Sequence, residues 1–474
     1  RRASGGPAQD IHKLSAIDLA TTIKAREISS VEATQTLLVR LKAVHQRSNA
    51  VVTFEEDEAL KAARAADEAI EKGLATGPLH GVPLAHKDMF DRTGKIASWG
   101  ANIRADKPAE HDATVIARLR AAGTHEIAAL HLTEFAYGPI GHNYVLGHAR
   151  NPWNTAHVSG GSSSGTAMSV ATGAIPAGLG SDTAGSLRLP SSACGVMSMK
   201  PTWGRVSRAG AMPLSATLDA VGPIARDARD LAVMLKAIAG HDARDAGTSL
   251  RPVPDYPTLA GRSIEGVRIG IDEALIGKAD ASVQDRLEQA LHILEQAGAK
   301  KVGVRIDNWE TLDHLAQLVQ LSEAAAAHSP FLRGRAGDYG PQVQARVEYG
   351  HFVPAHDYLV AMRARGQMLQ KILDEVYTKA DVVMLPNFAG PIPTIEETDV
   401  AGGQHLMVVL AKIMMYSRLL NYLMLPAVTL PYPEFSGMLP NGFQLMGRPF
   451  AEGRLLALAR AYQEAHPIHL APIA

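Results

Sequence analysis

"GGSSSGTAMSVATGAIPAGLGSDTAGS", residues 160–186, holds six serines and one aspartate, with no lysine, arginine or histidine between them. Such a stretch reads as a flexible linker, a phosphate cradle, or the nucleophile region of an enzyme whose base lies elsewhere. The linker reading fails because residues 151–181 carry no Asp, Glu, Lys or Arg. Flexible segments keep solvating charge, and TAMSVAT supplies residues that pack in a helix. A phosphate loop would end in Lys-Ser or Lys-Thr, which is missing here. GSSSG at 161–165 does match the nucleophile elbow G-x-S-x-G, with Ser163 as nucleophile. That elbow needs a buried strand before it, and NPWNTAHVSG is polar and interrupted by Pro152. The serines then belong to a catalytic set whose base is not histidine and stands upstream.

Lys87 is the candidate base, at the end of the apolar run in GVPLAHKDMF. Two readings stand at this point: a desolvated base, or a lysine paired with Asp88 at a strand end.

Outward from these segments, residues 75–230 alternate glycine-rich turns with short apolar runs (GVPLAHKDMF, EIAALH, AIPAGLG), the habit of an α/β protein. SSVEATQTLLVRLKAV, with Ser29 and Glu32 as a capping box, predicts part of an N-terminal helical cover over about residues 10–70. After RPVPDYP, the strand GVRIGID, a helix closed by Gly298 and the strand KKVGVRI predict one βαβ unit. ADVVMLP and PAVTLP predict two further core strands. No linker divides the chain, so residues 1–474 are expected to form a single domain.

Lys plus Arg (47) and Asp plus Glu (48) nearly cancel, which favours a small neutral ligand over nucleic acid or an anionic membrane. Cys194 is the only cysteine, so neither an intrachain disulfide nor a Cys-rich metal site can form. The most apolar stretch, LMVVLAKIMMYSRLLNYLML at 406–425, is interrupted by Lys412, Arg418 and Asn421 and is expected to be a buried helix that does not span a membrane. His125-Glu126 begins an H-E-x-x-H pattern, but position 129 is alanine, so no metal is expected.

GVPLAHKD, GGSSSG, LGSDTAGSLRLPSSACG and MKPTWGRVSRAG, in this order and at these separations, resemble the amidase signature family of serine hydrolases with a Ser-cisSer-Lys triad. The likeness extends to LDAVGPIARDARDLAVML, LPAVTLPYP and NGFQLMGRPFAEGRLLALARAYQ, and is weakest at about 300–375. It implies a large mixed, mostly parallel twisted β-sheet covered by helices on both faces. It also implies Lys87 as base, Ser162 as cis-serine and Ser186 as nucleophile, with an oxyanion hole from the N–H groups of Thr183, Ala184, Gly185 and Ser186. Ser163 and Asp182 fall on supporting positions. Three departures occur: Ser164-Gly165 closes the first glycine-serine motif, Ala184 replaces a glycine of DTGGS, and AALH at 128–131 replaces GKTN. No triad member is lost.

On this resemblance the chemistry is amide hydrolysis through an acyl-enzyme. A free lysine titrates near 10.4, and burial among neutral groups would lower that value far enough for Lys87 to act uncharged. The methionines of 406–425 predict an apolar pocket for aryl or medium-chain amides and carbamates, as in aryl acylamidase-like or urethanase-like members. No cofactor is expected. Location is expected to be cytoplasmic, and the substrate a small amide without nucleic-acid or membrane partners, with a homodimer as one possible assembly. The alternatives are the glutaminase subunit of a tRNA-dependent amidotransferase and a noncatalytic binding protein on the same fold.

Overall fold

The computed structural model describes residues 10–74, 77–104, 107–403, 405–433 and 438–473. Its strands are β1 Val51–Phe54, β2 Pro83–Lys87, β3 His125–Leu130, β4 Ala177–Asp182, β5 Met197–Lys200, β6 Ala220–Ala225, β7 Arg268–Ile271, β8 Lys300–Gly303, β9 Val382–Pro386, β10 Ala427–Pro431 and β11 Gly442–Gly447. They form a three-stranded sheet, β1-β3-β2, and an eight-stranded sheet, β4-β6-β5-β10-β11-β9-β7-β8.

The large mixed sheet under helices is the expected architecture, but the balance of pairing differs. Pairing is antiparallel from β4 through β6, β5, β10 and β11 to β9, and parallel only from β9 through β7 to β8. A parallel pair needs a crossover, and helix Ala281–Gln296 supplies it between β7 and β8. β10 and β11 are close in the chain, nearer than a parallel crossover allows, and they pair antiparallel. Short apolar runs specify burial, and the connections specify direction.

The N-terminal region holds helices Ala16–Lys24, Ser30–Ser48 and Glu56–Glu71. Ser29 caps the second of these in a full capping box with Glu32. Residues 406–425 depart from a single helix: Leu406–Ile413 and Arg418–Tyr422 are separate, with a turn at Met414–Ser417. Polar residues interrupt the apolar run, and the two buried ones, Arg418 and Asn421, have partners of their own. Arg418 pairs with Asp313 at 2.7 Å, and Asn421 donates to the Asp182 and Leu218 carbonyls. Among the described residues no helix is long and apolar enough to cross a membrane.

The two sheets meet where the candidate site lies. A Cβ on Gly178 of β4 would stand 2.3 Å from the Ala85 carbonyl oxygen of β2, so only glycine permits this approach. One residue on, the Leu179 N–H donates to His86 Nδ1 at 3.0 Å. Burial, reinforced by the charges of Arg92 and Arg120, pushes His86 down to about 3, so it serves as a neutral acceptor. This stitch fixes the end of β2, and with it Lys87, against the end of β4.

Candidate active site

Lys87 is the last residue of β2 and is 1% exposed. Its Nζ lies 2.6 Å from Ser162 Oγ and 2.8 Å from Ser181 Oγ, as donor to both. Asp88 does not pair with it. That carboxylate instead accepts from the backbone N–H and hydroxyl of Ser98, which removes the strand-end ion-pair reading. Burial lowers the Lys87 pKa to about 7, against the opposing pull of the Asp182 and Asp219 charges.

The Gly161–Ser162 peptide is cis. Helix Ser164–Ala171 follows at once, and all its residues are buried, which explains why this serine-rich stretch carries no charge. Ser163 does not line the cavity that holds Ser186. Its hydroxyl donates to the Ser181 carbonyl at 3.2 Å and accepts from the Ser181 N–H at 3.3 Å, while its own N–H donates to the Ser186 carbonyl at 3.3 Å. Ser163 thus ties the serine-bearing segments together.

Ser186 sits in the turn between β4 and helix Arg188–Cys194 and is 8% exposed. It lines a small cavity of about 10 Å³ with Thr183, Ala184, Leu189, Gln320, Arg346 and Met414. Asp182 organises the turn: its carboxylate accepts from the N–H groups of Gly185 and Leu187 and pairs with the Arg188 guanidinium at 3.0 Å. Burial opposes the Asp182 charge, but Arg188 more than compensates and holds it well below the usual carboxylate range. Arg188 is anchored in turn by Gln444 and Asn421.

One expectation changes here. The Gly185 N–H, an implied oxyanion donor, is already given to Asp182 at 2.8 Å. Gly185 serves instead through its backbone, whose φ of +125° a residue with a side chain rarely adopts. The N–H groups of Thr183, Ala184 and Ser186 carry no such bond to Asp182.

Three contributors escape the sequence reading. Ser181 is the second partner of Lys87. Asp219 accepts from Thr183 Oγ1 at 2.6 Å and from the N–H groups of Leu214 and Ser215, fixing the start of the turn. Arg346 enters the Ser186 cavity from helix Pro341–Gly350, where the sequence resemblance is weakest. Of the three, only Ser181 had a signal close by, its place next to the sole aspartate of the opening stretch. His125 of the H-E fragment lies 2.9 Å from Thr34 Oγ1, packed beneath the helical cover.

The amidase family model matches residues 32–456. The chain is 34% identical to a glutamyl-tRNA(Gln) amidotransferase subunit from Methylococcus capsulatus, over 97% of this chain and 98% of that protein. Among solved structures, a chain from a vestigial protein complex bearing on the origins of an s-triazine catabolic enzyme superposes with a TM-score of 0.90 at 29% identity. It covers 97% of this chain and 100% of its own length. The corresponding amidotransferase subunit from Thermotoga maritima gives 0.80 at 28%, covering 99% of both chains. These likenesses correct the expectation of no nucleic-acid partner and of a second copy as the assembly: the relatives are subunits, of an enzyme named for a tRNA. Net charge near zero reports bulk electrostatics and is silent on local docking surfaces, which is why composition misled. By the extent of the family match and of these relatives, the chain belongs to the amidase family and is a hydrolase of amide C–N bonds.

Proposed function

We propose that the chain releases ammonia from a small amide bearing its own carboxylate, glutamine first among them, as one subunit of an amidotransferase-type assembly. The observation that carries this reading is Arg346. It lines the same cavity as Ser186 and is 4% exposed. Its Nη1 donates to the Tyr137 carbonyl at 2.9 Å, its Cζ stands 3.7 Å from the Tyr137 ring centre, and its Nε has no acceptor. A guanidinium so held suits a substrate carboxylate, which it can bind through paired hydrogen bonds. The amidotransferase relatives support the subunit role.

In this mechanism neutral Lys87 takes a proton from Ser162 as Ser162 takes one from Ser186, whose Oγ attacks the amide carbonyl. The oxyanion accepts hydrogen bonds from the N–H groups of Thr183, Ala184 and Ser186. The relay then runs backwards to protonate the departing ammonia, and water cleaves the acyl-enzyme by the same route. Asp182 and Asp219 position the turn and touch no reacting atom. A cavity of 10 Å³ holds about one water, so binding displaces side chains, and flexible Met414 is the readiest to move.

The second reading, an apolar or aryl amide or carbamate substrate, is favoured by a 460 Å³ cavity lined by Phe388, Ile392, Val409 and Ile413. Met414 packs with Phe388, Ile392 and Ile413, which places this chamber beside the Ser186 cavity. Measuring kcat/KM for glutamine, an anilide and a carbamate ester under one condition separates the two. Glutamine turned over best supports the first reading, and the anilide or carbamate turned over best replaces it with the second.

A further inference from the structure

Arg286 lies in the second turn of helix Ala281–Gln296 and is 7% exposed. Every other buried arginine among the described residues donates at least one hydrogen bond, and Arg286 donates none. Its Nε and Nη2 are enclosed without an acceptor, and its Cζ stands 4.9 Å from the Tyr432 ring centre. A ring face offsets only part of what burying a cation without a counter-ion costs.

Arg286 also helps wall a 370 Å³ cavity with Trp153, Asn154, Ile392, Leu439 and Asn441. That volume suits a small organic ligand. Ser282, in the first turn of the helix, also lines it and brings the positive end of the helix dipole to the same wall. No carboxylate stands among the described lining residues, and Asp280, which precedes the helix, faces the neighbouring 460 Å³ cavity. Leu439 packs on an apolar cluster that includes Ala184, Leu189 and Met414, and these three line the Ser186 cavity. The chamber is therefore separated from the reacting serine by a layer of side chains.

We propose that this chamber is a second binding site, for a small organic carboxylate that pairs with Arg286 while its apolar body rests on Trp153, Ile392 and Leu439. The inference is independent of the substrate reading, since Arg286 takes no part in the Ser186 cavity. The test is calorimetric titration of the full chain with benzoate. Saturable binding is expected, weakened at least about tenfold in Arg286→Met and retained in Arg346→Met. Wild-type affinity in Arg286→Met, or loss confined to Arg346→Met, overturns the proposal. Because the variant could alter packing, wild-type crystals soaked in 4-bromobenzoate provide an independent check. A bromine anomalous peak beside Arg286 is the expected result. A peak only in the Ser186 cavity, or none at saturating concentration, refutes the site.

Discussion

Activity should rise with pH along a limb that belongs to Lys87. Its pKa is lowered to about 7, burial being the main cause, and in the proposed relay only the neutral amine can accept the proton from Ser162. A single group with that value is about one-tenth neutral at pH 6, half at pH 7 and nine-tenths at pH 8, so kcat/KM should climb about tenfold from pH 6 to 8 and then level. Ammonia release measured at constant ionic strength gives the profile. Lys200 is also buried and lowered to about 7, so the limb alone does not identify its owner. Asp219→Asn does: its charge helps hold the Lys87 value up, and removing it must move the limb to lower pH. Lys200→Met should leave a limb in place. A profile flat from pH 5 to 9, a midpoint near 10, or an Asp219→Asn limb that moves alkaline would refute the reasoning.

Ser186→Ala should abolish turnover, and a phosphonylating inhibitor should mark only the peptide containing Ser186; a stable adduct on Ser163 would restore the nucleophile-elbow reading. Arg346→Met should raise KM for glutamine by about tenfold or more while sparing a neutral amide, and equal losses on both would show that the guanidinium only supports the fold. Asp182→Asn leaves the fully buried Arg188 without its counter-ion, so denaturant unfolding should show a loss of about 3 to 5 kcal/mol. A variant as stable as the parent would mean that Gln444 and Asn421 alone satisfy that charge.

The parts of this molecule that are local are legible in its sequence, and those that depend on distant contacts are not. Ser29 and Glu32 declare their helix because a capping box is complete within four residues. Lys87, Ser162 and Ser186 stand out because their segments are distinctive, although only the resemblance tells base from nucleophile. Strand direction is not legible, because an apolar run such as PAVTLP looks the same in a parallel or an antiparallel pair, and the length of the connection decides. Arg346 lies far along the chain from Ser186 in an ordinary amphipathic helix, so nothing nearby marks it. Asp219 looks like one more polar residue until its carboxylate is seen to hold Thr183.

The neighbours of Lys87 can be understood as a compromise between two requirements. A base must be neutral at the working pH, yet retain enough proton affinity to pull on a serine hydroxyl, and these demands oppose each other. Burial alone would satisfy the first and undermine the second, because it disfavours the ammonium without limit on how weak the amine becomes. The Asp182 and Asp219 charges push back and return the value to about 7. Asp182 can remain charged at this depth only because Arg188 pairs with it through two nitrogens and the Gly185 and Leu187 amides donate to it. The buried Asp182–Arg188 pair is thus more than scaffolding: it keeps a negative charge beside the lysine while shaping the turn that carries Ser186. Neutralising Asp182 should therefore weaken the base and loosen the turn together, whereas neutralising Arg188 should first unsettle Asp182 and reach Lys87 only through it.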